Sequence, residues 1–338
     1  MAAPTVTPEL LNSLTSSSPQ QAWDDIAAYM WETFSAPLPE SGRVDSEIIS
    51  RDRGIAELEN VLAGSCWDLW SHFEECVPKG SQTVIDFWNR IMAGKAVLIL
   101  DGLSLREAPW ILAGAQSRGY TIHDQKLCAS ELPCETTPYA KALGFQQRSQ
   151  LSNNMASSTH SLTGAHTESN DLPWADSAGC VGSQENFAYW HHWPDHRIHD
   201  LAGPGKGLGK LAPEAKEHLT SDEFWELVER MAGGRRLVIT SDHGYAACGY
   251  FADLSKDQGS YMKDAFGSKR AAASSSDGTS EPAAWVPPID LELETTHGKH
   301  RFVLGRRKWK VSGQANRLLA HGGLSLLEVF VPYVELSK

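Results

Sequence analysis

The sequence has no excess of positive charge, no Cys-x-x-Cys pair and no long apolar run, and each absence removes a class of function. Its 30 Lys and Arg stand against 42 Asp and Glu, a net charge of −12. Non-specific grip on nucleic acid comes from basic surface, so that class is disfavoured. Phosphorylated substrates stay open, because bound divalent cations would dominate the local field. The 6 cysteines (Cys66, Cys76, Cys128, Cys134, Cys180, Cys248) lack disulfide-rich spacing and read as reduced, partly buried thiols. No apolar run approaches a membrane span, and the first residues carry neither the charged nor the apolar region of a secretory signal. A cytoplasmic protein without membrane contact is the expectation. The glycines of 203–209 have neither P-loop nor Rossmann spacing and read as loop.

What is present is the composition of a globular protein, 41% hydrophobic and rich in Trp, with 12. Residues 1–18 are Pro/Ser/Thr-rich and are expected to be disordered. Helical spacing of Trp23, Ile26, Met30 and Trp31, and of Leu58, Leu62, Trp67 and Trp70, predicts a helical N-terminal region over 1–94 that carries no visible chemistry. From Lys95 short buried strands alternate with helices, which predicts an α/β domain over 95–338. Ala96–Leu100, Gly119–Ile122, Phe187–Trp190, Leu237–Thr240 and Val329–Val334 read as strands, and 289–295 with 301–304 as a hairpin. Residues 149–186 read as irregular, and about 255–285 as a mobile low-complexity insert.

Polar stations sit at strand ends. Asp101 ends one strand and Asp242-His243 another. Asp195 and His199 form a D-x-x-x-H, and His321 lies in a Gly-rich turn. Asp195, His199 and His321 could hold one divalent cation, and Asp101, Asp242 and His243 a second; such N/O sets suit Zn²⁺ or Mn²⁺. Two cations close together can activate a nucleophile and stabilise both oxygens of an in-line phosphoryl displacement. Thr136 and Thr137 offer the nucleophile. Pro138 suits a first helical position, which would make Thr137 the N-cap. His191, His192, His196 and Asp200 are rival ligands in the same segment.

The stretches 97–102 (VLILDG), 137–143 (TPYAKAL), 195–199 (D-x-x-x-H), 239–245 (ITSDHGY) and 321–331 (HGGLSLLEVFV) resemble the PglZ domain, which belongs to the alkaline phosphatase superfamily. The resemblance covers about 95–338. It implies an α/β/α sandwich with a mostly parallel central sheet behind the small helical region. It implies two metals, ordinarily zinc, and a Ser or Thr that forms a covalent phospho-enzyme. By similarity Asp101, Asp242 and His243 belong to the nucleophile-side metal, and Asp195, His199 and His321 to the other. The T-x-Y-A pattern favours Thr137 as nucleophile, and the alternative register favours Thr136. The activity implied is that of a phosphodiesterase or nuclease on nucleotide or oligonucleotide phosphodiesters. PglZ domains occur in bacterial phage defence and as signalling outputs, which implies partner proteins of a defence system.

Two rivals remain: a small-metabolite phosphatase or phosphomutase, and a non-catalytic scaffold of a defence complex. A sulfatase is disfavoured, because no C-x-P-x-R follows Asp101. The run Arg306–Lys310 could receive a phosphate tail with Trp309 stacking a base, or be a solvated hairpin edge. Asn153 or Asn154 could donate to a phosphate oxygen.

Overall fold

Lys95–Leu100 is an unbroken run of buried residues, and it becomes the middle of the molecule. A computed structural model describes residues 6–39, 44–92, 94–156, 159–274, 285–311 and 317–338. In chain order the strands are β1 (Lys95–Leu100), β2 (Thr121–Ala129), β3 (His166–Asn170), β4 (Asn186–His191), β5 (Arg236–Thr240) and β6 (Ala246–Ala247). They continue with β7 (Ala271–Ala273), β8 (Asp290–Thr295), β9 (Gly298–Val303), β10 (Leu319–Ala320) and β11 (Phe330–Ser337). The central sheet has the order β2-β11-β5-β1-β4-β3. β3, β4, β1 and β5 run parallel, and β11 and β2 close one side by antiparallel pairing.

Both faces of the sheet are covered, as a parallel sheet requires. Ala96, Leu98 and Leu100 pack with Ile111, Leu219, Phe224 and Trp225, from helices Ala108–Ser117, Leu208–Thr220 and Asp222–Ala232. Val97 and Ile99 face the other way, toward Phe87, Trp88, Tyr139 and Leu143. The α/β/α sandwich with a mostly parallel sheet is therefore the architecture.

The N-terminal helices share a core with the sheet domain: Trp23, Ile26, Met30 and Leu62 pack with Leu105, Leu326 and Phe330. A buried ion-pair network reinforces the seam. Asp52 accepts from Arg106 at 2.9 Å and from Arg306 at 2.7 Å, while Arg306 also pairs with Glu59. Arg306 is thus a buried structural residue, neither a phosphate receiver nor a solvated edge. Trp309 is likewise committed, its indole N–H donating to the Gly267 carbonyl at 2.8 Å. Arg306→Ala would leave the buried Glu59 without its cation and Asp52 with Arg106 alone. It is expected to cost about 3–5 kcal/mol in a urea unfolding series.

Three stretches differ from the sequence reading. Within 1–18, Pro8–Ser16 is a helix: Thr7 caps Leu10, Pro8 opens the first turn, and Leu10 and Leu14 are buried. Thr7 and Pro8 form its N-terminal cap, and Ser17 its C-cap. Within 149–186, β3 pairs in register with β4, and Trp174–Gly179 is a helix. Within 255–285, Ser255 and Gln258 form a capping box for helix Lys256–Phe266, and β7 pairs with β9. Residues 275–284 of that stretch lie outside the described residues. The expected hairpin is present as β8 and β9.

Candidate metal centre

Register brings the polar stations to one edge. Leu100 pairs with His191, and Ile99 with Thr240, so β1, β4 and β5 end together. The residues that follow, Asp101, Asp195 and Asp242-His243, therefore emerge side by side, where ligands collect in open α/β sheets. β11 runs the opposite way, Tyr333 opposite Thr240, so the segment before it returns His321 to the same edge. Phe330 pairs with Ala129, so β2 delivers Thr136 there as well.

Backbone contacts tighten the cluster. The Asp101 N–H donates to the His191 carbonyl, and the Asp195 N–H to the Asp101 carbonyl, each at 2.9 Å. Gly102 has φ +76, and a Cβ there would stand 3.3 Å from the Asp195 Cα, so the strand end and the Asp195 helix approach this closely only with glycine. At Gly244 a Cβ would meet the Leu327 carbonyl oxygen at 2.2 Å. Gly244→Ala must push the segment before β11 away from His243. We expect it to lower stability by about 1–3 kcal/mol, read as a drop in thermal midpoint.

The structure draws the six predicted ligands into two groups, Asp101/Asp242/His243 and Asp195/His199/His321, with one donor atom per residue lying within 4.8 Å of its fellows. His243 Nε2 is 3.5 Å from Asp101 Oδ1 and 3.6 Å from Asp242 Oδ2. His199 Nε2 and His321 Nε2 are each 3.4 Å from an Asp195 oxygen. The groups adjoin: the His243 and His321 rings stack with centroids 4.2 Å apart.

The donor set fits a pair of cations. Asp101, Asp242 and His243 are fully buried. Asp195 Oδ1, Asp242 Oδ2 and His243 Nε2 have no hydrogen-bond partner, which is costly for buried polar atoms lacking a counter-ion. Outer contacts aim the ligands: His243 Nδ1 lies 2.9 Å from the Gly244 carbonyl, His321 Nδ1 lies 3.3 Å from the Cys134 carbonyl, and the Gly102 N–H donates to Asp242 Oδ1 at 3.0 Å. In both histidines this leaves Nε2 facing the cluster. The electrostatics of the cluster follow from the same crowding of charge. Burial, then Asp242 and Asp195, push the Asp101 carboxyl well above its usual range. Burial would depress His243, but Asp242, Asp101 and Asp195 outweigh it and push the imidazole up to about 9. For Asp195, burial works upward and loses to His199, His321 and His243, which hold the carboxyl below its usual range.

The two threonines separate clearly. Helix Thr136–Ala142 has Glu135, not Thr137, as its N-cap, so Pro138 is the third helical residue. The Thr136 hydroxyl donates to Asp101 Oδ1 at 3.3 Å, while Thr137 is exposed. The rival ligands lie elsewhere. His191 is buried between the Trp193 N–H and the Leu172 carbonyl, His192 contacts Ser169, His196 faces Asp171, and Asp200 pairs with Arg197. The Asn154 side chain accepts from the Thr167 N–H, and Asn153 is exposed at φ 52. Sequence reasoning missed Arg148, whose guanidinium pairs with Asp101. It lies in a stretch without motif or periodicity, so only the fold could reveal it.

No helix among the described residues is long and apolar enough to cross a membrane. No protein-family model matches the chain, and no curated protein does. Among solved structures it is similar to an inactive variant of murine ectonucleotide pyrophosphatase/phosphodiesterase 5 in complex with AMP. That match has a TM-score of 0.42 at 10% identity and covers 72% of this chain and 87% of that one. A second structure of the same murine protein gives a TM-score of 0.42 at 10% identity, over 72% of this chain and 88% of that one.

Proposed function

We propose that this chain is a metal-dependent phosphoester hydrolase of the alkaline phosphatase superfamily, acting on phosphodiesters of a nucleotide or oligonucleotide. The observation that carries the reading is the Thr136 hydroxyl, 3.3 Å from Asp101, a member of the buried one of two adjoining groups of N/O ligands. Asp101, Asp242 and His243 would hold one cation, and Asp195, His199 and His321 the other, with zinc the best fit to the donors and manganese next. Cations there would favour the threonine alkoxide and neutralise charge on the phosphoryl group.

Asp101 accepts the Thr136 hydrogen bond and so aims the oxygen. Thr136 Oγ attacks phosphorus in line as its proton passes to water. The bond to the leaving oxygen breaks with protonation of that oxygen, and the phosphorus, still carrying its other ester, rests on Thr136. Water then cleaves the ester to Thr136 and frees the hydroxyl. Arg148, beside Asp101, is a protein cation within the reacting centre, suited to the non-bridging oxygens. Arg148→Ala is expected to lower kcat/KM by about 10²-fold with metal content unchanged. The resemblance to the PglZ domain is the sole support for a place in bacterial phage defence and for partner proteins there.

Turnover of bis-p-nitrophenyl phosphate and of p-nitrophenyl phosphate, with Zn²⁺, Mn²⁺ and Mg²⁺ in turn, tests the activity. Diester hydrolysis is expected to dominate. A strong monoester preference would favour the small-metabolite phosphatase, and no hydrolysis of either ester would favour a scaffold.

A further inference from the structure

A second feature stands against the acidic character of the chain. Arg270, Arg307, Lys308 and Arg317 line one pocket together with Cys248 and Ala320. Four basic residues line this space in a molecule of net charge −12.

Only one of the four is committed. Arg270 is buried, donates to Glu328 at 2.7 and 3.0 Å, and holds the Arg307 carbonyl at 3.0 Å, so it builds the wall. Lys308 is 3.5 Å from Asp253, a side chain 83% exposed, which is a weak, solvent-screened pair. Arg307 and Arg317 have no acidic partner among the described residues. The Arg307 guanidinium lies over the Phe251 ring at 5.6 Å, and its Nε is buried without a hydrogen-bond acceptor. A buried, unpaired guanidinium donor is costly, and an anion supplying oxygen acceptors would remove that cost.

The pocket adjoins the candidate metal centre through the chain itself. Ala320, in its wall, is followed directly by His321. Cys248 donates its N–H to the Leu318 carbonyl at 2.8 Å, beside the two-stranded pairing of β6 with β10. We propose that this pocket is an anion subsite for a phosphate group, one that the substrate carries beyond the ester to be cleaved. The assignment to substrate rests on the hydrolase reading above; binding of the anion does not.

Two arms separate the sources. In the first, inorganic phosphate is titrated calorimetrically into the full-length protein as purified, and into Arg317→Glu and Arg307→Gln, each checked for an unchanged melting profile. A binding step that either variant weakens at least tenfold is expected. Lys308→Gln replaces any variant that fails to fold. An identical titration in wild type and folded variants would overturn the proposal. In the second arm, kcat/KM is compared for a dinucleotide with a 5′-phosphate and for the same dinucleotide without it. Arg317→Glu should raise KM at least tenfold for the first and leave the second unchanged. An equal effect on both, or none, would overturn the substrate assignment and leave free phosphate as the source. If neither dinucleotide is cleaved while the phosphate step persists, the hydrolase reading fails and the subsite stands.

Discussion

Thr136→Ala is expected to abolish turnover, with a loss on the order of 10⁴-fold or more, while the protein folds and keeps its metals. A nucleophile is not replaceable by binding energy elsewhere, so removing its oxygen removes the covalent route entirely. The substitution deletes a partly exposed hydroxyl whose protein contact is Asp101, so stability should change little. Thr137→Ala is the matched control. Its side chain is exposed and should leave kcat within a few-fold of wild type. Acid quench during turnover should trap one phosphoryl group on the peptide containing Thr136, and mass spectrometry locates it. Full activity of Thr136→Ala would remove this residue from the chemistry, and loss on Thr137→Ala alone would restore the other register.

Metal removal is the second large effect. Chelation should stop hydrolysis and also lower the unfolding free energy, because the buried carboxylates Asp101 and Asp242 would face each other without cations. A cation present at a thousandfold its dissociation constant contributes about 4 kcal/mol to the folded state. Two sites make the thermal midpoint depend strongly on metal concentration. Re-addition of Zn²⁺ or Mn²⁺ should restore both activity and midpoint. Unchanged stability after complete chelation would mean that the clusters do not hold cations.

The legible part of this molecule was its sheet centre and the polar residues gathered at its edge. β1 and β5 are short runs of buried apolar residues cut off by Asp, and that contrast survives without any structure. The D-x-x-x-H and the Gly-rich turn around His321 could be read for the same reason. What failed was local ambiguity. Pro138 fits the first or the third position of a helical turn, so the expected Thr137 cap gave way to Glu135. His166–Asn170 (HTESN) has no apolar signature, because it is an edge strand held by its neighbour β4. Arg306 looked like surface charge because its partners, Asp52 and Glu59, lie about two hundred and fifty residues earlier. Arg148 had no signal at all beyond its own charge.

Two divalent cations are expected, one held by Asp101, Asp242 and His243 and the other by Asp195, His199 and His321. Metal analysis of the purified full-length protein, by mass spectrometry with protein concentration measured independently, tests this assignment most directly. Two cations per chain are expected, falling to about one in Asp242→Asn and in His199→Ala separately. A wild-type chain that binds none, or a content that neither substitution changes, would contradict it.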